Sequence, residues 1–331
     1  MQNSSSDPIL LTEADVRSLL TIDDLIEAMA AALADFSTGR VTQPLRTVLT
    51  VGDKAFYGVM PAYLPAAPAL GTKLVTVFGS NAQLGMPTHL ATIVLLDPRT
   101  GALLALMDGR YITEARTAAA SAVSVKHLAR PNARVLAICG AGVQARSHLE
   151  AITRVRTIDE VRIWSRTRSR TDEFVADMQP HVTGRITAAA SAEEAVRDAD
   201  IVVLATAAKE PVVRSEWIAA GAHVCAVGAC RPTEREMDGA LVARADVYVD
   251  SRTGALAEAG DIVLAVQEGA IEPPHIRAEI GDVVAGLVPG RVGPDAVTIF
   301  KSLGMAVEDV AAAHLVYTRA RERGKGIGIH L

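Results

Sequence analysis

Arg134-Val-Leu-Ala-Ile-Cys-Gly140-Ala141-Gly142-Val143-Gln144-Ala145 is the stretch that decides the fold. Its apolar first half predicts a buried strand, and the residues after the glycines predict a helix. The turn between them has the GxGxxA spacing: Gly140 makes a tight turn, Gly142 lets a pyrophosphate approach the backbone, and Ala145 permits close helix–strand packing. The stretch therefore predicts a dinucleotide-binding turn with an anion site at the start of the helix. The alternative is a tight turn that merely contains glycines.

Alternating strands and helices continue beyond this stretch. Strand-like runs lie at Val135–Cys139, Glu160–Trp164, Arg185–Ala188, Ile201–Thr206, Val224–Val227 and Val247–Val249, and helical runs lie at Val143–Thr153, Thr171–Met178 and Ala192–Ala199. Such alternation is typical of a parallel doubly wound sheet. We therefore predict a Rossmann domain in residues 129–299.

The residues before 129 follow a different pattern. Apolar residues from Ile22 to Phe36 predict a helix capped by Thr21 and ending near Gly39. Strand-like runs with short connections follow, and then an Ala-rich helix: Leu45–Val51, Ala55–Met60, Leu70–Phe78, His89–Leu96, Ala102–Met107 and the helix Glu114–Ala129. With a closing helix near Ser302–Arg323, they predict an α+β domain of residues 1–128 and 300–331 with a mostly antiparallel sheet. The expected fold class is α/β.

Composition and charge exclude several classes of protein. The chain has 331 residues, 50% of them hydrophobic, which predicts two globular domains. Its net charge is −5 and no run of five Lys or Arg occurs, so we expect no nucleic-acid partner. Apolar stretches fall short of the ~18–20 residues that span a bilayer, and no signal-peptide pattern is evident, so we expect no membrane association. Three cysteines predict reduced thiols and a cytoplasmic protein, and the lack of CxxC and HxxxH motifs predicts no metal site.

The end of the second Rossmann strand indicates which cofactor is used. An NAD-specific fold usually has Asp or Glu there for the ribose hydroxyls, whereas this chain has Trp164-Ser165-Arg166-Thr167-Arg168. Arginine forms bidentate, charge-assisted hydrogen bonds to phosphate. We therefore predict NADPH rather than NADH, and the alternative is a solvated basic turn.

Arg116 is a candidate anion-binding residue. We place it in the first turn of the helix after Thr113, where a cation opposes the helix dipole by ~0.3–1 kcal/mol. A bound carboxylate or phosphate would reverse that effect, with Thr113 and Thr117 as neighbours. Loss of the guanidinium should then impair catalysis and leave the melting temperature unchanged or slightly raised. The alternative is a surface arginine paired with Glu114.

Three further residues are candidates for chemistry. Lys73 lies on a strand face that it shares with valines, where a lysine is costly unless paired, although edge strands also carry lysine against aggregation. His89 is either a proton donor or a hydrogen-bonded core histidine. Cys230 is either a nucleophile or a small buried filler, and no adjacent base supports the first reading.

Several segments together resemble the ornithine cyclodeaminase/mu-crystallin family. They are Thr42–Val48, Gly58–Tyr63, Thr72–Thr76, Arg116–Ala119, Gly140–Ala145 and Phe300–Asp309. The resemblance extends over about residues 10–320 and is strongest to the mu-crystallin branch, which reduces ketimines with NADPH. It implies a homodimer in which the first and last parts of the chain form a substrate-binding and dimerisation domain around an inserted Rossmann domain.

The resemblance also implies roles for individual residues. Arg46, Lys73 and Arg116 match the positions that hold a substrate carboxylate, and Glu258 lies at the ligand pocket. The positions around the dinucleotide match His89, Arg116, Gly140, Ala141, Gly142, Val143, Gln144, Ser165, Arg166, Thr167, Thr206, Val227 and Lys301. Lys73 and Arg116 are the expected catalytic residues, and Lys73 either binds the carboxylate or contributes to the proton balance at nitrogen.

One departure from the family pattern bears on the reaction. Ornithine cyclodeaminases carry a catalytic Asp where this chain has Cys230, and cyclodeamination needs such a base. We therefore expect NADPH-dependent reduction of a cyclic ketimine carboxylate, pyrroline-2-carboxylate or piperideine-2-carboxylate, to proline or pipecolate. The alternatives are a cyclodeaminase-type ammonia-lyase, an alanine dehydrogenase-like oxidoreductase and a non-catalytic NADPH-dependent binding protein.

Overall fold

The computed structural model describes residues 7–52 and 55–330. Its strands are β1 (Ile9–Leu11), β2 (Thr47–Val51), β3 (Ala55–Leu64), β4 (Ala69–Phe78), β5 (His89–Leu96), β6 (Leu103–Asp108), β7 (Val135–Cys139), β8 (Glu160–Trp164), β9 (Arg185–Ala188), β10 (Ile201–Leu204), β11 (His223–Ala226), β12 (Asp246–Val249), β13 (Ile276–Glu279), β14 (Thr298–Lys301) and β15 (Ile327–Gly328). Its helices are α1 (Glu13–Leu19), α2 (Ile22–Ser37), α3 (Arg110–Leu128), α4 (Val143–Val155), α5 (Arg168–Met178), α6 (Ala192–Val196), α7 (Gly239–Arg244), α8 (Arg252–Glu258), α9 (Gly260–Gln267), α10 (Ile280–Val284) and α11 (Ala306–Arg323).

The chain divides into two compact units. The first contains the described residues up to Arg116 and those from Met305 onward, and the second contains Thr117–Gly304. The boundaries predicted from the sequence lie at 128/129 and 299/300 instead. The first boundary lies inside α3, which reads as one uninterrupted helix in the sequence, so no change of composition marks it.

The first unit contains a seven-stranded sheet in the order β15-β1-β6-β5-β4-β3-β2. Its strand pairs are antiparallel except for β1 with β6, which confirms the predicted mostly antiparallel sheet. Helix α11 packs against α2 and across β3, β4 and β5. A Cβ at Gly71 would lie 2.7 Å from the Val94 carbonyl oxygen and 3.4 Å from Val310 of α11. Gly71 therefore allows α11 to lie close to the sheet.

The second unit contains an eight-stranded parallel sheet in the order β13-β12-β14-β11-β10-β7-β8-β9. Alternate residues of β7 belong to two separate apolar clusters, with Ala137 and Cys139 in one and Leu136 and Ile138 in the other. Both faces of the sheet are thus covered, as parallel sheets require. The predicted doubly wound Rossmann fold is confirmed. Strands β13 and β14 and the short helices between α6 and α11 were not predicted from the sequence.

Within the described residues, no helix is both long enough and apolar enough to span a membrane.

Candidate active site

Four buried charged side chains meet in the first unit, and we call them the Lys73 cluster: Lys73, Arg116, Glu308 and Asp309. Lys73 is 2% exposed and Arg116 4%, while both carboxylates are fully buried. Asp309 Oδ2 lies 2.5 Å from Lys73 Nζ, and its Oδ1 accepts a hydrogen bond of 3.0 Å from Arg116 Nε. Glu308 Oε2 accepts a hydrogen bond of 2.7 Å from Arg116 Nη1. Asp309 therefore joins the two cations that the family resemblance assigns to the substrate.

Local sequence explains how these side chains meet. Lys73 lies on β4, on the face that α11 covers, and Glu308 and Asp309 belong to the first turn of α11. Gln43 Oε1 accepts a hydrogen bond of 2.7 Å from the Val307 amide and so caps the start of that helix. Acidic residues in a first turn also interact favourably with the helix dipole. Two independent local preferences thus hold the carboxylates in place.

The electrostatics of this cluster differ for each basic group. Burial, partly offset by Asp309, lowers the pKa of Lys73 to about 8. The pKa of Arg116 is raised because the carboxylates of Asp309 and Glu308 outweigh the cost of burial. Burial, then the charges of Lys73 and Arg116, lower the pKa of His89 to about 4. At neutral pH Lys73 therefore carries a proton that it can lose, whereas His89 is uncharged.

The expected environment of Arg116 is wrong in two respects. Helix α3 begins at Arg110, because Asp108 Oδ1 accepts a hydrogen bond of 3.1 Å from the Tyr111 amide, so Arg116 lies beyond the first turn. Its partners are Glu308 and Asp309 and not Glu114, which instead pairs with Arg17 and Arg110. The dipole argument for an anion at Arg116 therefore fails, and the two cations of the cluster are balanced by the two carboxylates of Glu308 and Asp309.

The predicted dinucleotide turn has a geometry that fits such a ligand. Gly140 has φ +115°, and a Cβ there would lie 2.3 Å from the Ala205 carbonyl oxygen. Gly142 starts α4 without a cap from any described side chain, and no described atom would lie within 4 Å of a Cβ on it. Gln144 Oε1 is buried with no hydrogen-bond partner among the described residues. The uncapped first turn and this unpartnered oxygen are groups that a phosphate-containing ligand and its amide or hydroxyl donors could satisfy.

The basic turn after β8 is open to solvent. Arg166 and Thr167 are exposed, and Arg168 Nε donates a hydrogen bond of 2.9 Å to Asp172 Oδ1. Ser165 Oγ donates to the Thr167 carbonyl oxygen at 2.9 Å and lies 2.9 Å from Thr171 Oγ1. Its hydroxyl thus shapes the turn. Arg166 forms no ion pair with any described residue, which leaves its guanidinium available to an anion.

Glu236 is a buried residue that the sequence analysis missed. Its Oε1 accepts hydrogen bonds from the Thr206 amide at 2.6 Å and the Thr206 hydroxyl at 2.7 Å, and its Oε2 accepts one from the Gly228 amide at 2.7 Å. Burial and the nearby Asp261 raise the pKa of Glu236 to about 7. One carboxylate thus ties together the segments that follow β10 and β11. A glutamate in an irregular segment carries no periodic signal that could have identified it.

Lys301 contacts the segment that follows β11, which Glu236 also holds. Its Nζ donates a hydrogen bond of 2.6 Å to the Ala229 carbonyl oxygen and lies 2.9 Å from Asp261 Oδ2, all fully buried. Asp261 Oδ1 in turn accepts a hydrogen bond of 2.8 Å from the Glu236 amide. Lys301 therefore braces the segment after β11 that contains Val227. Cys230, in the same segment, is only half-buried, so the expectation of a buried filler is wrong.

The remaining candidates lie elsewhere within their units. Arg46 is half-buried immediately before β2, and His89 is the half-buried first residue of β5. Glu258 is the half-buried last residue of α8. Val143 begins α4 and is 48% exposed, and Ala141 is half-buried. Among the described residues, no three His, Cys, Asp or Glu side chains form a group suited to a metal ion.

Comparison with known proteins decides the family. A model of the ornithine cyclodeaminase/mu-crystallin family matches residues 6–324. The chain belongs to this family. A ketimine reductase mu-crystallin of Mus musculus is 45% identical over 315 residues, which are 94% of this chain and 96% of that protein.

Two solved structures extend the comparison. The Δ1-pyrroline-2-carboxylate reductase of Thermococcus litoralis in complex with NADH and L-proline has a TM-score of 0.95 and 39% identity, covering 97% of this chain and all of that chain. An archaeal alanine dehydrogenase dimer with bound NAD has a TM-score of 0.94 and 34% identity, covering 98% and 99%. These relatives are reductases or dehydrogenases, and an oxidoreductase is the class of enzyme that they support for this member of the family.

Proposed function

We propose that this protein reduces a cyclic ketimine carboxylate, pyrroline-2-carboxylate or piperideine-2-carboxylate, with NADPH. The observation that carries the proposal is the Lys73 cluster, where Asp309 holds together the buried lysine and arginine that the family resemblance assigns to a substrate carboxylate. A chain 39% identical over nearly its whole length is a Δ1-pyrroline-2-carboxylate reductase. The products are the L-imino acids proline or pipecolate.

Individual residues have separate roles in the proposed reaction. Arg46 and Arg116 orient the substrate carboxylate, and positioning of this kind supplies much of the rate of a bimolecular step. The Gly140–Gln144 turn holds the pyrophosphate, with Thr206 and Val227 at the adjacent strand ends. The chemistry that the bound nicotinamide supplies is a hydride for C2 of the substrate.

An absorbance assay of cofactor oxidation tests this function. The panel contains pyrroline-2-carboxylate, piperideine-2-carboxylate, pyruvate with ammonia, and ornithine. We expect oxidation of NADPH with a cyclic ketimine and no release of ammonia from ornithine, since Cys230 stands where a cyclodeaminase has its catalytic Asp. Proline formed from ornithine at an enzymatic rate without added reductant would overturn the assignment. Cofactor binding without turnover of any panel member would favour a binding protein.

Open-chain reductive amination is the second candidate. The archaeal alanine dehydrogenase shares 34% identity and nearly the whole fold, which favours this alternative over a cyclodeaminase. The same buried cations would hold a 2-oxo acid carboxylate. Higher kcat/KM for pyruvate with ammonia than for either cyclic ketimine would select it.

We expect the preference for NADPH over NADH to depend on Arg166. Its exposed guanidinium has no described ion-pair partner, and a hydrogen bond to a charged group contributes about 1.5–3 kcal/mol. Arg166→Ala should therefore reduce the ratio of kcat/KM values for the two cofactors at least about tenfold.

Arg168→Ala is the matched control for that variant. Arg168 already pairs with Asp172, so its removal should reduce the same ratio less than the Arg166 change does. A wild-type preference for NADH, or equal effects of the two variants, would contradict the role proposed for Arg166.

The assembly that we propose is a homodimer, and the exposed apolar residues of the edge strand β2 support it. It is an edge strand of the first sheet, yet Val48, Leu49 and Val51 are 48%, 54% and 42% exposed. Apolar edge strands are normally covered in the assembled protein. The archaeal neighbour is described as a dimer. Leu49→Asp should therefore yield monomers in sedimentation-velocity experiments.

An aspartate at another exposed leucine is the control for Leu49→Asp. Leu287 is 65% exposed in the second unit, and Leu287→Asp should leave the wild-type assembly intact. A wild-type protein that sediments as a monomer, or a Leu49→Asp variant that remains a dimer, would contradict the proposal that β2 forms the interface.

A further inference from the structure

We propose that Asp309 is a positioning residue that keeps Lys73 charged and aimed, so that Lys73 can give the substrate nitrogen the proton that reduction consumes. The inference deepens the proposed function and rests on it. Of the two roles that sequence reasoning leaves open for Lys73, it assigns proton donation as the chemical one, while the same ammonium attracts the bound carboxylate.

The geometry gives Asp309 two tasks at once. Its two carboxylate oxygens contact different cations, Lys73 at 2.5 Å and Arg116 at 3.0 Å. All three side chains are buried, so water cannot take over either contact. Because Asp309 belongs to the rigid first turn of α11, the Lys73 ammonium and the Arg116 guanidinium are held in a constant relation to each other. A substrate carboxylate bound by the arginine thus meets the ammonium in one orientation.

The groups around Lys73 determine whether it is protonated. Helix α11 contributes the carboxylates of Asp309 and Glu308, α3 contributes Arg116, and β5 contributes His89. The Asp309 carboxylate is the largest influence that favours the charged lysine, and it opposes burial and Arg116. His89 is uncharged at neutral pH because its pKa is lowered to about 4, so it is not a cationic acid there. Lys73 is therefore the cationic acid that the carboxylate pair supports.

The proton balance of the reaction requires such an acid. Reduction of the C=N bond places a hydride on carbon and one proton on nitrogen, and the nicotinamide is oxidised. In the proposed step an N–H bond of the Lys73 ammonium breaks and a new N–H bond forms on the ring nitrogen. Lys73 is left neutral and regains its proton from solvent. The Thr113 hydroxyl, 3.4 Å from Lys73 Nζ, accepts a hydrogen bond from it.

The test is the pH dependence of kcat/KM for pyrroline-2-carboxylate. In the wild type we expect activity to fall as pH rises through the pKa of Lys73, about 8. Asp309→Asn removes the negative charge that favours the protonated lysine. A neighbouring opposite charge shifts a pKa by about 1–3 units. The midpoint, which is the pH at which kcat/KM has fallen to half its maximum, should therefore move down by about one pH unit or more in this variant.

Two further variants separate charge from structure. Asp309→Glu keeps the charge, so its midpoint should stay near the wild-type value even if kcat falls. Glu308→Gln removes the other carboxylate, which pairs with Arg116 at 2.7 Å, so the midpoint should move less than in Asp309→Asn. An Asp309→Asn midpoint equal to that of the wild type would overturn the inference.

Binding of pyrrole-2-carboxylate, followed by calorimetry without cofactor, is the second readout. Affinity for this planar anion should fall through the same pH range and show the same displacement in Asp309→Asn. If the wild type reduces ketimines and neither midpoint moves, the role of Asp309 fails alone. If binding shows the displacement but no ketimine is reduced, the proposed function fails and the control of Lys73 by Asp309 stands.

Discussion

Arg116→Ala should lower kcat/KM at least about 100-fold and also destabilise the fold. The catalytic loss corresponds to ~2.7 kcal/mol, as expected for a charged anchor of the substrate carboxylate. The structural loss arises because Glu308 and Asp309 are fully buried and both bond to this guanidinium. Removing one partner of a buried ion pair costs about 3–5 kcal/mol. The unchanged or raised melting temperature expected from a first-turn arginine is therefore reversed.

Measurements of two kinds are needed for this variant. Chemical denaturation gives the free energy of unfolding, and kinetics on the folded fraction give kcat/KM. Arg116→Lys restores the positive charge but cannot reach both carboxylates with a planar fork. It should recover stability more than activity. If Arg116→Ala keeps both near wild-type values, the carboxylate-binding group lies elsewhere.

Gly140→Ala should weaken cofactor binding severely and strongly destabilise the second unit. Its φ of +115° is rarely adopted by residues with a side chain, and the added Cβ would lie 2.3 Å from a backbone oxygen of Ala205. Such backbone strain costs about 1–3 kcal/mol before the collision is counted. We expect the dissociation constant for NADPH, measured by fluorescence titration, to rise at least about 100-fold. The strand-end segment at Ala205 must move to relieve the collision.

Gly142→Ala is the matched control because only one of these effects applies. Its φ of −87° suits any residue, and no described atom would lie within 4 Å of the added Cβ. Stability should therefore be retained, while the methyl group obstructs a pyrophosphate that approaches the first turn of α4. We expect NADPH affinity to fall about tenfold or more. Wild-type affinity in this variant would mean that the ligand does not approach the backbone here.

The elements most accurately predicted from sequence are short and bounded by turn residues. Val135–Cys139, Glu160–Trp164 and Arg185–Ala188 match their strands, and His89–Leu96 matches β5. Each of these segments is bounded by polar or turn-forming residues and contains β-branched or apolar residues that favour a strand, so backbone preference and burial agree. The glycine turn was equally accessible, because its spacing follows from the geometry of one strand, one turn and one helix.

The partners of Arg116 could not be found in the same way. Asp309 lies 193 residues away along the chain, and acidic residues in the first turn of a helix usually interact with the helix dipole in solvent. The start of α3 was misplaced because Asp108 caps it from within a predicted strand-to-helix connection. Glu236 and Asp261 were missed because burial of a carboxylate is decided by tertiary packing, which no local pattern records.

The Lys73 cluster also restricts how this protein can change over generations. Four apolar side chains of similar volume could fill the same space at little cost in stability. Reaching that arrangement requires a substitution at each of the four positions of the cluster. A single step toward it leaves a buried charge unpaired at about 3–5 kcal/mol, which is a large part of the ~5–15 kcal/mol that keeps a domain folded. Single substitutions therefore cannot convert the cluster to the apolar arrangement without passing through a destabilised protein. A descendant that no longer needed the reaction would still inherit these four charges.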